Sequence, residues 1–301
     1  MNRSIRALLL APSFVLAASA CADHDRQPWW IDRPRVLALR VEDANDPTSA
    51  LPAPGDEVRV RGLGVDPARD RTGERAWRFE ACPASPESRD GLGCDGEPFA
   101  SPRGRGPIAL TFGLPDVAGR VLLRGVVCTG GEPEAEALRC ADGGPDGDGE
   151  EVMLRISTST DQANRHPRLD GSPTLDGDPI PEGQGCADPA TRRWPAAPAS
   201  GPTTPALLAW SLGPEARERV DGEPEELLVS HAVTAGELER YYSIVQADEQ
   251  EAKIEVELEP PRVDEVPVEG LDLRLVLVVR DDRGGVSWLT RVLCVTGGGG
   301  S

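Results

Sequence analysis

The sequence predicts an all-β protein, because three observations along its 301 residues agree. Apolar and charged residues alternate with period two over many short stretches, which is typical of half-buried antiparallel strands. The 33 Gly and 29 Pro residues include turn motifs that separate those stretches. Aromatic residues make up only 4% of the chain, which favours small cores and many loops over helical bundles.

The first group of alternating stretches predicts one β-sandwich over residues 36–157. These stretches are Leu37–Val41, Val58–Val60, Trp77–Phe79, Ile108–Phe112, Val121–Val127 and Val152–Ile156. Turn residues such as Asp46-Pro47 and Pro54-Gly55-Asp56 separate them. About six strands in about 120 residues are typical of an immunoglobulin-like domain.

A second group predicts another immunoglobulin-like sandwich over residues 206–296, so the expected fold is two such domains in tandem. Ile254, Val256 and Leu258 alternate with glutamates, as in a strand with one solvated face. Leu271, Leu273, Leu275, Leu277 and Val279 lie on one face of the next strand. Val276 and Val278 lie on the other, which predicts a central strand covered on both sides. The turn at 281–285 leads into a final strand in which we expect Trp288 to be a core residue.

The remaining segments connect or flank these two predicted domains. Residues 158–205 are polar and rich in Pro and Gly, and we expect them to hold the domain boundary and an irregular first strand. Residues 297–301 form a flexible Gly-rich tail, or the remnant of an engineered linker.

The first 20 residues have the pattern of an export signal. Arg3 and Arg6 precede an apolar run that is too short to span a bilayer, and Ala18-Ser19-Ala20 provides a small-residue cleavage site. Cys21 follows directly, and this arrangement resembles the lipobox of bacterial lipoproteins, in which the cysteine is acylated. Residues 21–35 would then be a lipidated tether.

An alternative remains for this cleavage site. A typical lipobox has Leu, Val or Ile where this chain has Ala18, and an ordinary secretory peptidase would cut at the same bond and leave Cys21 free. Cysteine parity favours lipidation, because the chain has 7 Cys and removing Cys21 leaves an even number for disulfides. Ala22 after the cysteine resembles lipoproteins that are sorted to the outer membrane.

Proximity in sequence suggests three disulfide bonds. The candidate pairs are Cys82 with Cys94, Cys128 with Cys140, and Cys186 with Cys294. The third pair would tie the boundary segment to the last strand. Six cysteines allow 15 connectivities, so this pairing is a hypothesis. A zinc site is disfavoured, because no two cysteines have the Cys-x-x-Cys spacing.

An acidic cluster at residues 142–151 is a weak candidate for calcium. Asp142, Asp146 and Asp148 match the first, fifth and seventh positions of a calcium loop, but Gly144 and Met153 occupy the third and twelfth. A solvated loop is therefore the favoured interpretation, and we expect no cofactor. For the linker aspartates Asp170, Asp176 and Asp178, solvated positions are likewise favoured over a calcium site.

The charge and the histidines argue against nucleic-acid binding, binding to anionic membrane surfaces and catalysis. The formal net charge of −19 opposes binding to nucleic acid and to anionic membrane surfaces. The chain has His24, His166 and His231; Ser230 precedes His231, but neighbouring strand residues point to opposite faces and cannot form a catalytic pair. We expect His231 to be a partly buried structural residue, and we expect no enzymatic activity.

Several stretches resemble known families. Residues 275–295 resemble the closing hairpin of polycystic-kidney-disease and cadherin-like repeats, which are immunoglobulin-like domains. Residues 33–39 and 54–58 are similar to the opening of uncharacterised lipoproteins of myxobacteria, and residues 225–230 and 236–238 fit the second domain of that group. The resemblance implies a fold and an envelope location, and it keeps calcium as a candidate because calcium rigidifies cadherin-like junctions.

The sequence thus suggests a non-enzymatic lipoprotein of the bacterial envelope, anchored in the outer membrane on its periplasmic or cell-surface side. Its expected role is a structural or adhesion-type binding module whose partner is an envelope protein or a polysaccharide. Contact with the membrane would come through the N-terminal lipid. The alternative is a periplasmic accessory subunit of an outer-membrane complex with no ligand of its own.

Overall fold

The computed structural model describes residues 30–67, 75–88, 92–117, 119–141, 149–160, 163–220, 222–249 and 252–297. About half of the chain lies in β-strands, which confirms the predicted all-β class. Within the described ranges, the helical segments are two single 3-10 turns, Pro214–Ala216 and Val263–Glu265. No described helix has the length and apolar composition needed to cross a membrane.

Two antiparallel sheets form what we call the N-terminal sheet pair. Its strands are β1 (Arg35–Asp43), β2 (Glu57–Val65), β3 (Ala76–Pro83), β4 (Arg103–Arg105), β5 (Ala109–Gly113), β6 (Arg120–Cys128) and β7 (Glu150–Ser157). One sheet has the order β1-β2-β5 and the other the order β4-β3-β6-β7. Inward-facing side chains of both sheets, including Val60, Phe79 and Leu123, build one common apolar core.

Two five-stranded sheets form the C-terminal sheet pair. Its strands are β8 (Thr174–Leu175), β9 (Asp178–Pro179), β10 (Arg192–Pro195), β11 (Ala206–Leu212), β14 (Leu227–Val233), β15 (Glu237–Leu238), β16 (Tyr242–Val245), β17 (Ala252–Glu259), β18 (Leu271–Asp281) and β19 (Val286–Thr296). The sheet orders are β10-β19-β18-β14-β16 and β15-β17-β11-β8-β9, and β10 runs parallel to β19. A small hairpin of β12 (Arg219–Val220) and β13 (Glu223–Pro224) lies beside them.

The segment predicted as a boundary, residues 158–205, supplies strands to both of these sheets. β8 pairs with β11, and β10 pairs with β19. Leu175 and Trp194 from this segment are buried in the core of the C-terminal sheet pair. These strands are two to four residues long, so they carry no period-two pattern that a sequence analysis could detect.

In two strands the observed burial of the side chains agrees closely with the prediction from sequence. In β17 the residues Ile254, Val256 and Leu258 are buried, and the glutamates between them are exposed. In β18 the side chains of Leu273, Leu275, Leu277 and Val279 enter the core, whereas Val276 and Val278 are buried on the opposite face. β18 lies in the middle of its sheet, as its two apolar faces predict.

A third apolar cluster, which we call the junction cluster, covers the outer face of β18. It joins Ala38 and Val65 of the N-terminal sheet pair to Ala232, Val276, Val278 and Val286 of the C-terminal pair, with Ile31 fully buried among them. Leu37, Leu63 and Trp288 pack against it while remaining partly exposed. Trp288 therefore lies at the junction and not in a sandwich core, which corrects the sequence-based expectation.

Polar contacts supplement the junction cluster along the free edge of β1. The Arg280 guanidinium donates to the Leu37 carbonyl over 2.7 Å. The Glu150 carboxylate accepts the Val36 N–H. Near the start of the described chain, the Ile31 N–H donates to the Val233 carbonyl over 2.8 Å. Since unpaired strand edges invite aggregation, the contacts at Val36 and Leu37 protect β1, and the Arg280 contact also joins the two sheet pairs.

The structure pairs the cysteines as proximity suggested. The Cα–Cα distances are 5.6 Å for Cys82 and Cys94, 5.8 Å for Cys128 and Cys140, and 4.7 Å for Cys186 and Cys294, all within the normal range of disulfides. The first two pairs each close a short loop of 12 residues in sequence. The third spans 108 residues and fixes the segment before β10 to the last strand.

Loop length predicts how much each disulfide stabilises the fold. Replacing Cys186 and Cys294 together by alanine should lower the free energy of unfolding by about 4–5 kcal/mol, because the entropy of a long loop is restored to the unfolded chain. The matched double variant at Cys82 and Cys94 should lose nearer about 3 kcal/mol. Urea unfolding of both variants measures the difference, and a larger loss for the short loop would contradict it.

Candidate ligand-binding cleft

A polar cleft of about 440 Å³ opens at the rim of the junction cluster, between the two sheet pairs. Its walls come from β1, β2, the loop after β1, residues 165–170 and the start of β19. The lining residues are Arg40, Glu42, Thr48, Arg61, Arg165, His166, Pro167, Arg168, Leu169, Asp170, Ser287 and Trp288. Four arginines and two carboxylates therefore face one cleft in a chain whose formal net charge is −19.

The period of two in β1 places two of these residues side by side. Leu39 and Val41 face the core, so Arg40 and Glu42 face outwards, continuing the face that carries Ala38 in the junction cluster. Arg61 of β2 is the cross-strand partner of Arg40. Two like charges directly opposite each other repel, and this pair requires a counter-charge.

Glu42 supplies that counter-charge. Its carboxylate lies 3.0 Å from Nε of Arg40 and 3.3 Å from Nε of Arg61, and only 4% of its side-chain surface is exposed. Arg40 also donates to the Pro47 carbonyl over 2.8 Å and to Ser287 Oγ over 3.4 Å. Burial lowers the pKa of Arg40, and Glu42 opposes this shift. The buried carboxylate thus fixes the two guanidinium groups at the cleft wall.

Arg165 and Arg168 form the opposite, solvent-exposed side of the cleft. Arg165 attracts Asp46, whose pKa is lowered mainly by hydrogen bonds from Thr48 and to a smaller extent by this arginine. Within the part of the chain that the structure describes, neither guanidinium has a hydrogen bond or a close ion pair. Both side chains are exposed, so a ligand in the cleft can reach them.

His166 anchors this arginine segment to both sheet pairs. Its Nε2 lies 2.7 Å from the Val41 carbonyl of β1, and its Nδ1 accepts the Val286 N–H of β19 over 3.0 Å. These two contacts require the neutral ring with the proton on Nε2. Burial, reinforced by the nearby Arg40 charge, lowers the pKa of His166 to about 4. The ring is therefore a structural bridge at neutral pH.

The sequence-predicted site residues have different outcomes. Cys21 and the calcium candidates Asp142, Asp146 and Asp148 lie outside the described residues. The six remaining candidate cysteines are paired, as described above. Among the residues that can be described, no group of three or more His, Cys, Asp or Glu side chains has metal-binding geometry.

The linker aspartates have separate roles in the described structure. Asp176 accepts the Leu207 N–H over 2.8 Å, and Asp178 lies 3.4 Å from Arg192. Asp170 lines the arginine cleft. These three carboxylates are therefore not brought together at one metal site.

His231 is buried on the inner face of β14, as its alternation with Val229 and Val233 predicts. Its Nε2 lies 3.0 Å from Oγ of Ser243 on the adjacent strand β16, and not from the neighbouring Ser230. Nδ1 of His231 has no hydrogen-bond partner in the described chain. Burial, with a smaller contribution from Arg240, lowers the pKa of His231 to about 4.

The arginines of the cleft were not singled out in the sequence. Arg40 and Arg61 look like ordinary solvated positions of alternating strands. Arg165-His166-Pro167-Arg168 is a local concentration of basic residues within an acidic chain, and this was the available signal. Its significance depends on the fold, which brings these residues opposite β1.

Comparison with known proteins does not show a family. No protein-family model matches the chain, and no curated protein sequence does. Among solved structures, a red sea bream transglutaminase is similar over 86% of this chain and 31% of its own, with 9% identity and a TM-score of 0.24. The adhesin InvE of Yersinia pseudotuberculosis matches over 85% and 58%, with 12% identity and a TM-score of 0.21. The chain thus spans less than two thirds of both structures.

The two buried histidines predict a specific loss of stability in mild acid. In the unfolded chain a histidine takes up its proton near pH 6.5, whereas each folded ring stays neutral until about pH 4. The unfolded state therefore binds more protons between these values, and the free energy of unfolding falls as pH is lowered from 7 towards 4. Each histidine contributes about 3 kcal/mol to this loss.

Urea unfolding at pH 7 and at pH 5 measures the effect, with His166→Gln as the matched control. Glutamine keeps one donor and one acceptor but does not titrate, so the variant should lose less stability than the wild type on acidification. Burial raises the pKa of Glu150, Glu225 and Asp281, which gives the opposite pH dependence in both proteins. Equal losses in wild type and variant would contradict the role assigned to His166.

Proposed function

We propose that this protein is a non-enzymatic, lipid-anchored binding module of the bacterial envelope, built from two immunoglobulin-like β-sandwiches in tandem. The observation that carries the proposal is the arginine-lined cleft at the junction of the two sheet pairs. A cleft between rigid sheets is a common place for ligand recognition, because strands fix the positions of the side chains that line it.

The strand arrangement supports the immunoglobulin-like part of the proposal. The N-terminal sheet pair has three strands facing four, with its core between them. In the C-terminal pair, the parallel pairing of β10 with β19 beside the β18–β19 hairpin resembles the way an immunoglobulin-like domain splits its first strand between both sheets. The segments 36–157 and 206–296 would be the two domains, with residues 158–205 contributing to the second.

Cysteine use supports export and lipidation. Three disulfides are typical of proteins from oxidising compartments. They account for six of the seven cysteines, and Cys21 remains as the residue that follows the export signal. Acylation at Cys21 would hold the protein at the outer membrane, on its periplasmic or cell-surface side, where an envelope protein or a polysaccharide would be its partner.

The contacts of the histidines support a role other than catalysis. Both ring nitrogens of His166 lie at backbone groups, and His231 is 2% exposed inside a core. A general base must reach a substrate proton, and these rings are held in structural contacts instead. We propose no metal or other cofactor for the cleft.

A second candidate is an accessory subunit of an outer-membrane complex. It is favoured by exposed apolar side chains on and beside the edge strand β16, where Leu228, Tyr242 and Ile244 are each about 40% exposed. Such a group beside a free strand edge suits contact with another protein. Loss of co-purification with an outer-membrane complex in the Ile244→Ser variant would favour this role.

The lipid anchor can be tested on the native protein. Intact-mass measurement after detergent extraction should show an N-terminus at Cys21 with a diacylglyceryl group and an acyl chain, and the other six cysteines oxidised. Cys21→Ala should move the protein from the membrane to the soluble fraction, whereas Ala22→Ser, which keeps the cysteine, should stay membrane-bound. An unmodified Cys21 in the wild type would overturn the anchor.

A further inference from the structure

The arginine cleft also indicates what kind of ligand it takes. We propose that it binds a carboxylate carried on a saccharide, that is, a uronic-acid-type unit of an acidic polysaccharide. This inference rests on the proposed binding function and specifies the ligand of the same cleft.

The arginines point to an anion with planar geometry. Arg165 and Arg168 present exposed guanidinium groups on one side, and Arg61, half exposed, does so on the other. Glu42 contacts Arg61 through Nε, which leaves its terminal nitrogens as donors. Guanidinium groups bind carboxylates through two parallel hydrogen bonds, and such charge-assisted pairs are about twice as strong as neutral ones.

The rest of the lining suits a sugar ring. Trp288 lines the cleft with a partly exposed indole, which offers a flat apolar surface to the C–H face of a pyranose. The exposed Thr48 hydroxyl also lines the cleft; it donates to Asp46 Oδ1 over 2.6 Å and can accept a hydrogen bond from a sugar hydroxyl. The cleft volume of about 440 Å³ lies within the usual range for small-molecule sites and fits a short saccharide segment.

Charge distribution disfavours densely charged ligands. The protein as a whole carries a formal charge of −19, so a nucleic acid or polyphosphate is repelled at long range. Within the cleft, Glu42 and Asp170 would repel a second anionic group placed close to the first. A ligand that places one carboxylate on the arginines and neutral hydroxyls near Glu42 and Asp170 reduces the local part of this repulsion.

The experiment is isothermal titration of the mature protein with trigalacturonate. The wild type should bind it, and the Arg165→Gln/Arg168→Gln double variant should bind at least 10-fold more weakly, because two charge-assisted contacts are lost. Both residues are exposed, so the variant should keep its melting temperature. Arg193→Gln, which changes an exposed arginine on β10, is the matched control and should bind like the wild type.

Three further ligands test the chemistry. The methyl ester of trigalacturonate, which has the same rings without the charge, should bind at least 10-fold more weakly than the acid. Trp288→Leu should weaken trigalacturonate binding but leave the binding of acetate unchanged. Stronger binding of a short peptide through its terminal carboxylate than of trigalacturonate would overturn the saccharide assignment.

Failure of this inference can be distinguished from failure of the binding function. An acidic polysaccharide fraction from the envelope is immobilised, and retention of the wild type and the double variant is compared. Retention of the wild type alone supports the cleft. Equal retention of both proteins would overturn the cleft proposal while leaving the binding module intact, and retention of neither would overturn the saccharide ligand but not binding to an envelope protein.

Discussion

Docking of β1 onto the outer face of β18 is the constraint on which the rest of the structure depends. β18 is apolar on both sides, so one sandwich core cannot satisfy it. Fully burying a valine stabilises a protein by about 1.5–3 kcal/mol, and Val276 and Val278 are buried in the junction cluster to which the N-terminal sheet pair contributes Ala38 and Val65. The free edge of β1 gains hydrogen-bond partners in the same contact, through Arg280 and His166. Apolar burial and edge protection therefore favour one arrangement of the two sheet pairs.

The cleft is a consequence of that arrangement. The outer face of β1 is apolar at Ala38, where it is covered, and charged at Arg40 and Glu42, where the covering surface ends. Residues 163–170 cross this opening, and His166 fixes them by one hydrogen bond to each sheet pair. The neighbouring arginines are thereby placed in the cleft beside β1. A structural histidine thereby positions the residues that we propose contact the ligand.

The strands can be predicted from the sequence more readily than the candidate site. Alternation in β17, the two apolar faces of β18 and the proximity of cysteines along the chain were sufficient for correct predictions, because each depends on local spacing. Trp288 was assigned to a core because alternation identifies a covered face but not what covers it. The strands β8, β9 and β10 are too short to produce a pattern. The cleft joins residues more than 100 positions apart, so only the tertiary fold brings Arg40, Arg165 and Ser287 together.

The most direct measurement of this account is hydrogen exchange at the Val286 amide. That N–H donates to Nδ1 of His166, so it is protected when residues 163–170 and the two sheet pairs are docked together. We expect slow exchange in the wild type and markedly faster exchange in His166→Ala, while amides in the centre of β18, such as Val276, remain protected. Rapid exchange of Val286 in the wild type, at the rate of an exposed loop amide, would contradict the docked arrangement and with it the cleft.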